Sequence, residues 1–164
     1  MLGTSSGMML QIAFAYALIW LIEPAALRAS KLRAVVVGEA SSEQADNYLA
    51  EACECYYYGL HTACVLMCRS LLEEALERKL PDGLVNRWRS EAKAHGHELT
   101  LGGLLHKVNN YHPLLVPAKV LQAARRVNRT GTLGAHTEAV SELDAMKCFQ
   151  DARAALVILL GEGR

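Results

Sequence analysis

Apolar residues recur every three or four positions along most of the chain between Ser42 and Gly161. That period is typical of helices that bury one face, and prolines and glycines divide the stretch into separate segments. The composition agrees, because 24 alanines and 26 leucines make up 50 of the 164 residues, whereas Val, Ile and Thr together supply 21. We therefore predict an all-α domain built as a bundle of four or five helices.

The helix boundaries follow from capping residues and helix breakers. Ser41-Ser42-Glu43, Thr100 and Ser141 are predicted to start helices. The helices are predicted over residues 43–57, 61–80, 101–110, 117–128 and 142–160. The polar stretch 84–97 fits a short helix or a loop, and the glycines of residues 130–134 predict a loop. The predicted core comprises Leu49, Ala63, Leu66, Leu71, Leu104, Leu121, Leu156 and Leu159.

The first 22 residues carry no charged side chain, and residues 8–22 are apolar apart from Gln11. Such a segment has a marginal length for a membrane span, and the basic residues at 28–33 would keep the remainder in the cytoplasm. The alternatives are a buried helix of the domain and a hydrophobic segment that docks on a partner chain. We divide the chain into an apolar segment (1–30), a connector (31–42) and a helical domain (43–161). Pro24 is predicted to end any upstream helix, and residues 35–38 to be extended.

Charge and cysteine content limit the functional classes. Seventeen basic and 17 acidic residues give zero net charge, so binding to nucleic acid requires a local basic patch. Five cysteines form no disulfide framework, which indicates a reducing, cytoplasmic compartment. The sequence lacks GxGxxG, phosphate-loop, GxSxG and HExxH motifs, and thus gives no support to hydride transfer, phosphate-loop catalysis or zinc proteolysis.

One helix face carries His61, Cys64 and Cys68, at a spacing that superficially suggests a metal site. Three ligands along one stripe diverge over two turns, and no second ligand pair is present. We interpret the cysteines as core residues and predict no metal and no cofactor.

Two polar clusters remain. Arg69 and Glu73, four residues apart in an apolar helix, are predicted to pair and to form a structural pocket, with Glu74 as an alternative partner. The second cluster contains Arg125, Arg126, Asn128 and Arg129, followed by His136. The predicted glycine-containing loop would deliver His136 near the start of the last helix.

The run Glu51-Ala52 … Gly59 … Ala63 … Cys68-Arg69-Ser-Leu-Leu-Glu73, followed by Gly131-x-x-Gly134-Ala135-His136, resembles a bacterial helical domain of unknown function in the HEPN superfamily. That domain occurs alone and fused to restriction-enzyme subunits and other defence proteins. Its superfamily consists of four- or five-helix bundles. Many members are metal-independent ribonucleases that use an Arg and a His, separated by four to six residues, across a dimer interface.

The resemblance implies roles for individual residues. Arg129 and His136 have the required spacing, with His136 as acid and base and Arg129 as stabiliser of phosphate charge. Arg125, Arg126 and Asn128 would position phosphates of an RNA substrate. The implied partners are RNA, a second copy of the chain, and a larger defence-system protein. Thr130 and Thr132 depart from the family pattern, because Asn, Asp or His usually follows the Arg and Asn usually occupies the position of Thr132.

Two functional hypotheses therefore stand side by side. In the first, the domain is an endoribonuclease in bacterial defence or stress. In the second, His136 fixes the loop by hydrogen bonding, for example to Arg69 and Glu73, and the domain is a non-catalytic dimerisation or interaction module. Residues 8–22 would tether either form if they enter a membrane.

Overall fold

The computed structural model describes residues 22–32, 42–136 and 139–161, and all regular secondary structure within them is helical. The chain divides into two compact units, 1–36 and 37–164. The first contains helix α1 (22–32). The second contains α2 (Glu43–Tyr57), α3 (His61–Lys79), α4 (Asp82–Ala94), α5 (Leu101–Tyr111), α6 (Ala118–His136) and α7 (Glu142–Gly161). The all-α prediction is confirmed, but the described part of the second unit holds six helices rather than four or five.

The predicted helix starts are confirmed by their caps. The Ser42 hydroxyl accepts a hydrogen bond from the Ala45 N–H, and the Ser141 hydroxyl accepts one from the Asp144 N–H. The Thr100 hydroxyl caps α5 in the same way. Each cap satisfies a backbone donor that the first turn of a helix leaves without a partner. The ambiguous stretch after residue 84 is helical, and α4 accounts for the additional helix.

Helix α3 is central, because α2, α4, α5, α6 and α7 all pack against it. A helix surrounded in this way buries several faces, so a single apolar stripe does not identify its core residues. Leu71 is buried as predicted, but Ala63 and Leu66 are half-buried, as is Leu49 in α2. Leu104, Leu121, Leu156 and Leu159 are confirmed as core. The buried residues of α3 are Cys64, Val65, Cys68, Leu71, Leu72, Ala75 and Leu76.

Helix α6 continues through the region that was predicted to be a loop. Gly131 and Gly134 lie inside the helix, where they permit close packing. A Cβ on Gly134 would come within 2.6 Å of Val140 Cγ2. The backbone N–H of Val140 in turn donates to Thr62 Oγ1 at the start of α3. These contacts outweigh the low helix propensity of glycine, and the loop prediction is wrong.

The first unit also differs from the sequence prediction. Residues 22–32 form a helix that includes Pro24, so Pro24 does not end the helix there. Proline has a backbone angle compatible with a helix, and Ala25, Ala26 and Leu27 favour helix formation after it. In the described part of the chain, no helix combines the length and the apolarity that crossing a membrane requires. The predictions for residues 1–21 and for the 35–38 stretch lie outside the described residues.

Candidate functional site

Helix α6 brings the two predicted catalytic positions onto one face. Arg129 and His136 are seven residues apart, which corresponds to nearly two turns and a rise of about 10 Å. Viewed down the helix axis, the two backbone positions are therefore separated by an angle of only about 20°. The Arg129 side chain is exposed. His136 is the last residue of α6, and the role predicted for its imidazole lies outside what the structure describes.

The three arginines of α6 differ in their contacts. Arg125 Nη2 donates to Asn109 Oδ1 at 2.6 Å. Arg126 donates two hydrogen bonds to the Asp151 carboxylate, at 2.8 and 2.6 Å, and this carboxylate raises the pKa of Arg126. Arg129 has no hydrogen bond or ion pair to any other described residue. Of the three guanidinium groups, that of Arg129 is thus the one for which the described residues supply no partner.

Arg129 borders a groove of about 340 Å³ between α6 and α7. Arg126 and Lys147 also line this groove, together with Asp144 and Asp151 as counter-charges. Cys148 lies in the wall, and burial raises the pKa of its thiol to about 11. At neutral pH this thiol is protonated, so it is not a nucleophile.

A second groove, of about 260 Å³, lies on the other side of α6, against α5. Its wall contains Arg125 and Asn128 of α6 together with His106 and Asn109 of α5. The Oδ1 atom of Asn128 is buried and has no hydrogen-bond partner among the described residues. Sequence reasoning missed His106 and Asn109, although their spacing of three residues places both on the polar side of an amphipathic helix.

Arg69 and Glu73 do not form the predicted ion pair. Glu73 instead accepts a hydrogen bond from the Leu101 N–H at 2.9 Å and so caps α5. Burial raises the pKa of Glu73, the Leu101 N–H opposes that rise, and Arg69 lowers the pKa from a longer range. The aliphatic part of Arg69 lies beside Gly131, since a Cβ there would be 3.5 Å from Arg69 Cδ. Arg69 therefore reaches the predicted His136-bearing segment, but through packing against α6.

Glu73 belongs to a larger groove of about 620 Å³, which runs along α3 and α4. Three of its carboxylates have partners within the described residues. Glu77 pairs with Arg89, Glu74 lies 3.7 Å from Arg78, and Glu73 caps α5. The groove is acidic, but Glu73 and Glu77 connect α3 to α5 and α4, whereas the pair of Glu74 with Arg78 lies within α3.

The interpretation of Cys64 and Cys68 as core residues is confirmed, because both are fully buried. A hydrogen bond with Cys64 and burial raise the pKa of Cys68, which keeps this thiol protonated. Within the described ranges, no three His, Cys, Asp or Glu side chains are grouped to hold a metal ion. Comparison with known protein families, curated proteins and solved structures found no match to this chain.

Proposed function

We propose that this protein is a HEPN-like domain that acts on RNA through the exposed face of α6, as a metal-independent endoribonuclease. The observation that supports this proposal is that the backbone positions of Arg129 and His136 share one face of a continuous helix, and that the Arg129 guanidinium has no hydrogen bond or ion pair to the described residues. A histidine can act as acid or base in the cleavage of an RNA phosphodiester, and a fixed cation stabilises the negative charge that develops on the phosphoryl oxygens.

In the proposed reaction, His136 takes the proton from a ribose 2′-hydroxyl. The 2′-oxygen attacks the adjacent phosphorus, and the bond from phosphorus to the 5′-oxygen breaks. The products are a 2′,3′-cyclic phosphate and a free 5′-hydroxyl, whose proton comes from a protonated histidine. The Arg129 guanidinium stabilises the negative charge that accumulates on the phosphoryl oxygens.

Two copies of the chain would complete such a site. If two α6 helices pack antiparallel about a two-fold axis midway between residues 129 and 136, Arg129 of one copy faces His136 of the other. Leu133 lies near the proposed axis and is 49 % exposed, which offers an apolar contact there. This arrangement gives two equivalent Arg–His pairs and two histidines for the acid and base steps.

Cleavage of single-stranded RNA by the purified protein in EDTA tests the proposal. We expect His136→Ala to abolish cleavage, and Arg129→Lys to reduce it about 100-fold or more, because an ammonium does not replace the planar donor fork. Matched controls are His95→Ala and Arg87→Lys, which alter exposed residues of the same types at α4. A folded wild-type dimer that leaves a mixed RNA pool intact would contradict the enzymatic proposal.

A second candidate is a non-catalytic interaction module. Leu143 and Val157 of α7 are 63 % and 51 % exposed and lie 14 residues apart, which places them on one face of the helix. A protein–protein contact on this face of α7 would bury both side chains. Under this proposal Leu143→Asp disrupts association, and His136→Ala has no effect on it.

The cellular setting is also part of the proposal. Bacterial defence or stress, a larger defence-system partner and a cytoplasmic location follow from the family resemblance and from the cysteine content. Attachment to a membrane through residues 8–22 is the open alternative. Deletion of residues 1–30 distinguishes these cases, because removal of an anchor improves solubility, whereas removal of a core helix unfolds the domain.

A further inference from the structure

We infer that the groove between α5 and α6 is a nucleotide-binding subsite, which holds one nucleotide of an RNA strand whose backbone passes Arg129. This inference rests on the proposed function, and it extends the site to side chains of α5. The groove residues are His106, Asn109, Arg125 and Asn128, with Gly102 and Leu105 completing the wall.

The rim of the groove is a connected set of polar side chains. Arg125 Nη2 donates to Asn109 Oδ1, and Asn109 Nδ2 donates to Asn110 Oδ1 at 3.2 Å. The Asn110 amide in turn lies 3.1 Å from His106 Nε2. Amides offer both donors and acceptors to base edges, and guanidinium and imidazole groups stack on bases and contact phosphates. The rim therefore presents the side chains that recognise a nucleotide.

Asn128 adds a polar group that lacks a partner. Its Oδ1 atom is buried, and no described donor reaches it. A buried acceptor without a hydrogen bond is destabilising, so such a group calls for an explanation. Gly102 lies directly beside the amide, since a Cβ there would be 3.3 Å from Asn128 Nδ2. A Cβ at position 102 would thus crowd the Asn128 amide.

The size, lining and position of the groove favour a nucleotide over a peptide. Its volume of about 260 Å³ lies just below that of sites for drug-sized ligands, which suits a single base and its phosphate. The wall contains one large apolar side chain, Leu105, whereas the centre of a protein interface is predominantly apolar. Arg125 precedes Arg129 by four residues, or about 6 Å along α6. A strand bound in the groove therefore passes the proposed reaction site.

The test measures binding separately from cleavage. The protein is added in increasing concentration to a fluorescent 2′-O-methyl RNA, which has no attacking hydroxyl. Binding is followed by fluorescence anisotropy. We expect Asn109→Leu and Gly102→Ala each to weaken binding at least tenfold, because the first removes the rim amide and the second crowds and displaces the Asn128 amide. Asn86→Leu is the matched control, since Asn86 is an exposed asparagine on α4. Asn109 is itself exposed, so its replacement leaves the core intact.

Mononucleotide titration followed by amide NMR shifts provides the second measurement. Shifts centred on residues 102–110 and 125–128 support the inference whether or not the protein cleaves RNA. If the wild type cleaves RNA and Asn109→Leu and Gly102→Ala bind and cleave like it, the subsite is wrong and the proposed function stands. If nucleotides shift the amide signals of the groove residues but the protein does not cleave RNA, the subsite is supported and the proposed catalysis is wrong. Absence of both cleavage and groove shifts overturns both.

Discussion

The acidic groove along α3 and α4 and the basic face of α6 show opposite uses of charge in a chain whose net charge is zero. In the acidic groove, Glu73 caps α5 and Glu77 pairs with Arg89. On α6, Arg129 has no partner among the described residues. Charges that connect helices contribute to stability, whereas a charge without a partner is available to a ligand. The two regions therefore differ in whether their charged side chains have partners among the described residues, and not in how many charges they carry.

The strongest test of this comparison removes one charge from each region. We expect Glu73→Ala to lower the free energy of unfolding by about 1–3 kcal/mol, because the buried Leu101 N–H loses its acceptor. We expect Arg129→Ala to change it by less than about 0.5 kcal/mol, as is usual for an exposed side chain without contacts. Urea unfolding followed by circular dichroism measures both values. Equal losses for the two variants would contradict the distinction between the regions.

The glycines of α6 test whether the basic face belongs to a continuous helix. Gly134→Ala is expected to destabilise the protein by about 1–3 kcal/mol, because its Cβ would lie 2.6 Å from Val140 Cγ2. Gly131→Ala is expected to stabilise it by about 0.5–1 kcal/mol, because its nearest neighbour, Arg69 Cδ, is 3.5 Å away and alanine favours a helix. Opposite changes in stability for the two substitutions, measured by thermal unfolding, would support the continuous helix. Destabilisation by both substitutions would favour the loop that the sequence predicted.

Much of the fold could be predicted because its signals are local. Ser42, Thr100 and Ser141 cap helices through contacts within a single turn, and those helix starts are confirmed. The path of α6 depends instead on packing between Gly134 and Val140, which lies outside α6 in the connection to α7. Sequence alone contains no measure of that contact, so glycine propensity gave the wrong prediction. The core face of α3 was missed for a related reason, since neighbours on several sides determine it.

In the candidate site, too, the features that are local in the sequence could be predicted, whereas the contacts between helices could not. The arginines of α6 could be predicted because they cluster in the sequence, but their different engagement depends on Asn109 and Asp151, which come from other helices. The groove side chains of α5 were missed because nothing in a single helix shows which neighbour faces it. The predicted pairing of Arg69 with Glu73 failed because Leu101, from another helix, offers a better-placed donor.

Arg126 allows a comparison within α6, because it pairs with Asp151, whereas Arg129 has no partner among the described residues. We expect Arg126→Met to cost about 0.2–1 kcal/mol of stability, the usual range for an exposed ion pair, and high salt to reduce that cost. Arg129→Met is the matched control and should show no such salt dependence. Unfolding in low and high salt measures the difference. A larger loss for Arg129→Met would mean that Arg129 has a structural partner.

The pH dependence of Glu73 is the smallest expected effect. Burial raises the pKa of Glu73 and Glu77 adds to the rise, whereas the Leu101 N–H and Arg69 oppose it. Between the unfolded pKa and the raised folded pKa, the native state binds more protons than the unfolded state. The stabilisation is therefore complete below the unfolded pKa, near 4.5, and is lost as pH rises through the folded pKa.

Glu73→Gln keeps an oxygen that can accept from the Leu101 N–H, but it removes the titration. We therefore expect the unfolding free energy of the wild type minus that of Glu73→Gln to decrease as pH rises from about 4 towards neutrality. Taking the difference cancels the titration of groups that both proteins share. Urea unfolding at a series of pH values measures it. A difference that increases with pH would show that the Leu101 hydrogen bond outweighs burial, and that Glu73 is held as a stabilised carboxylate.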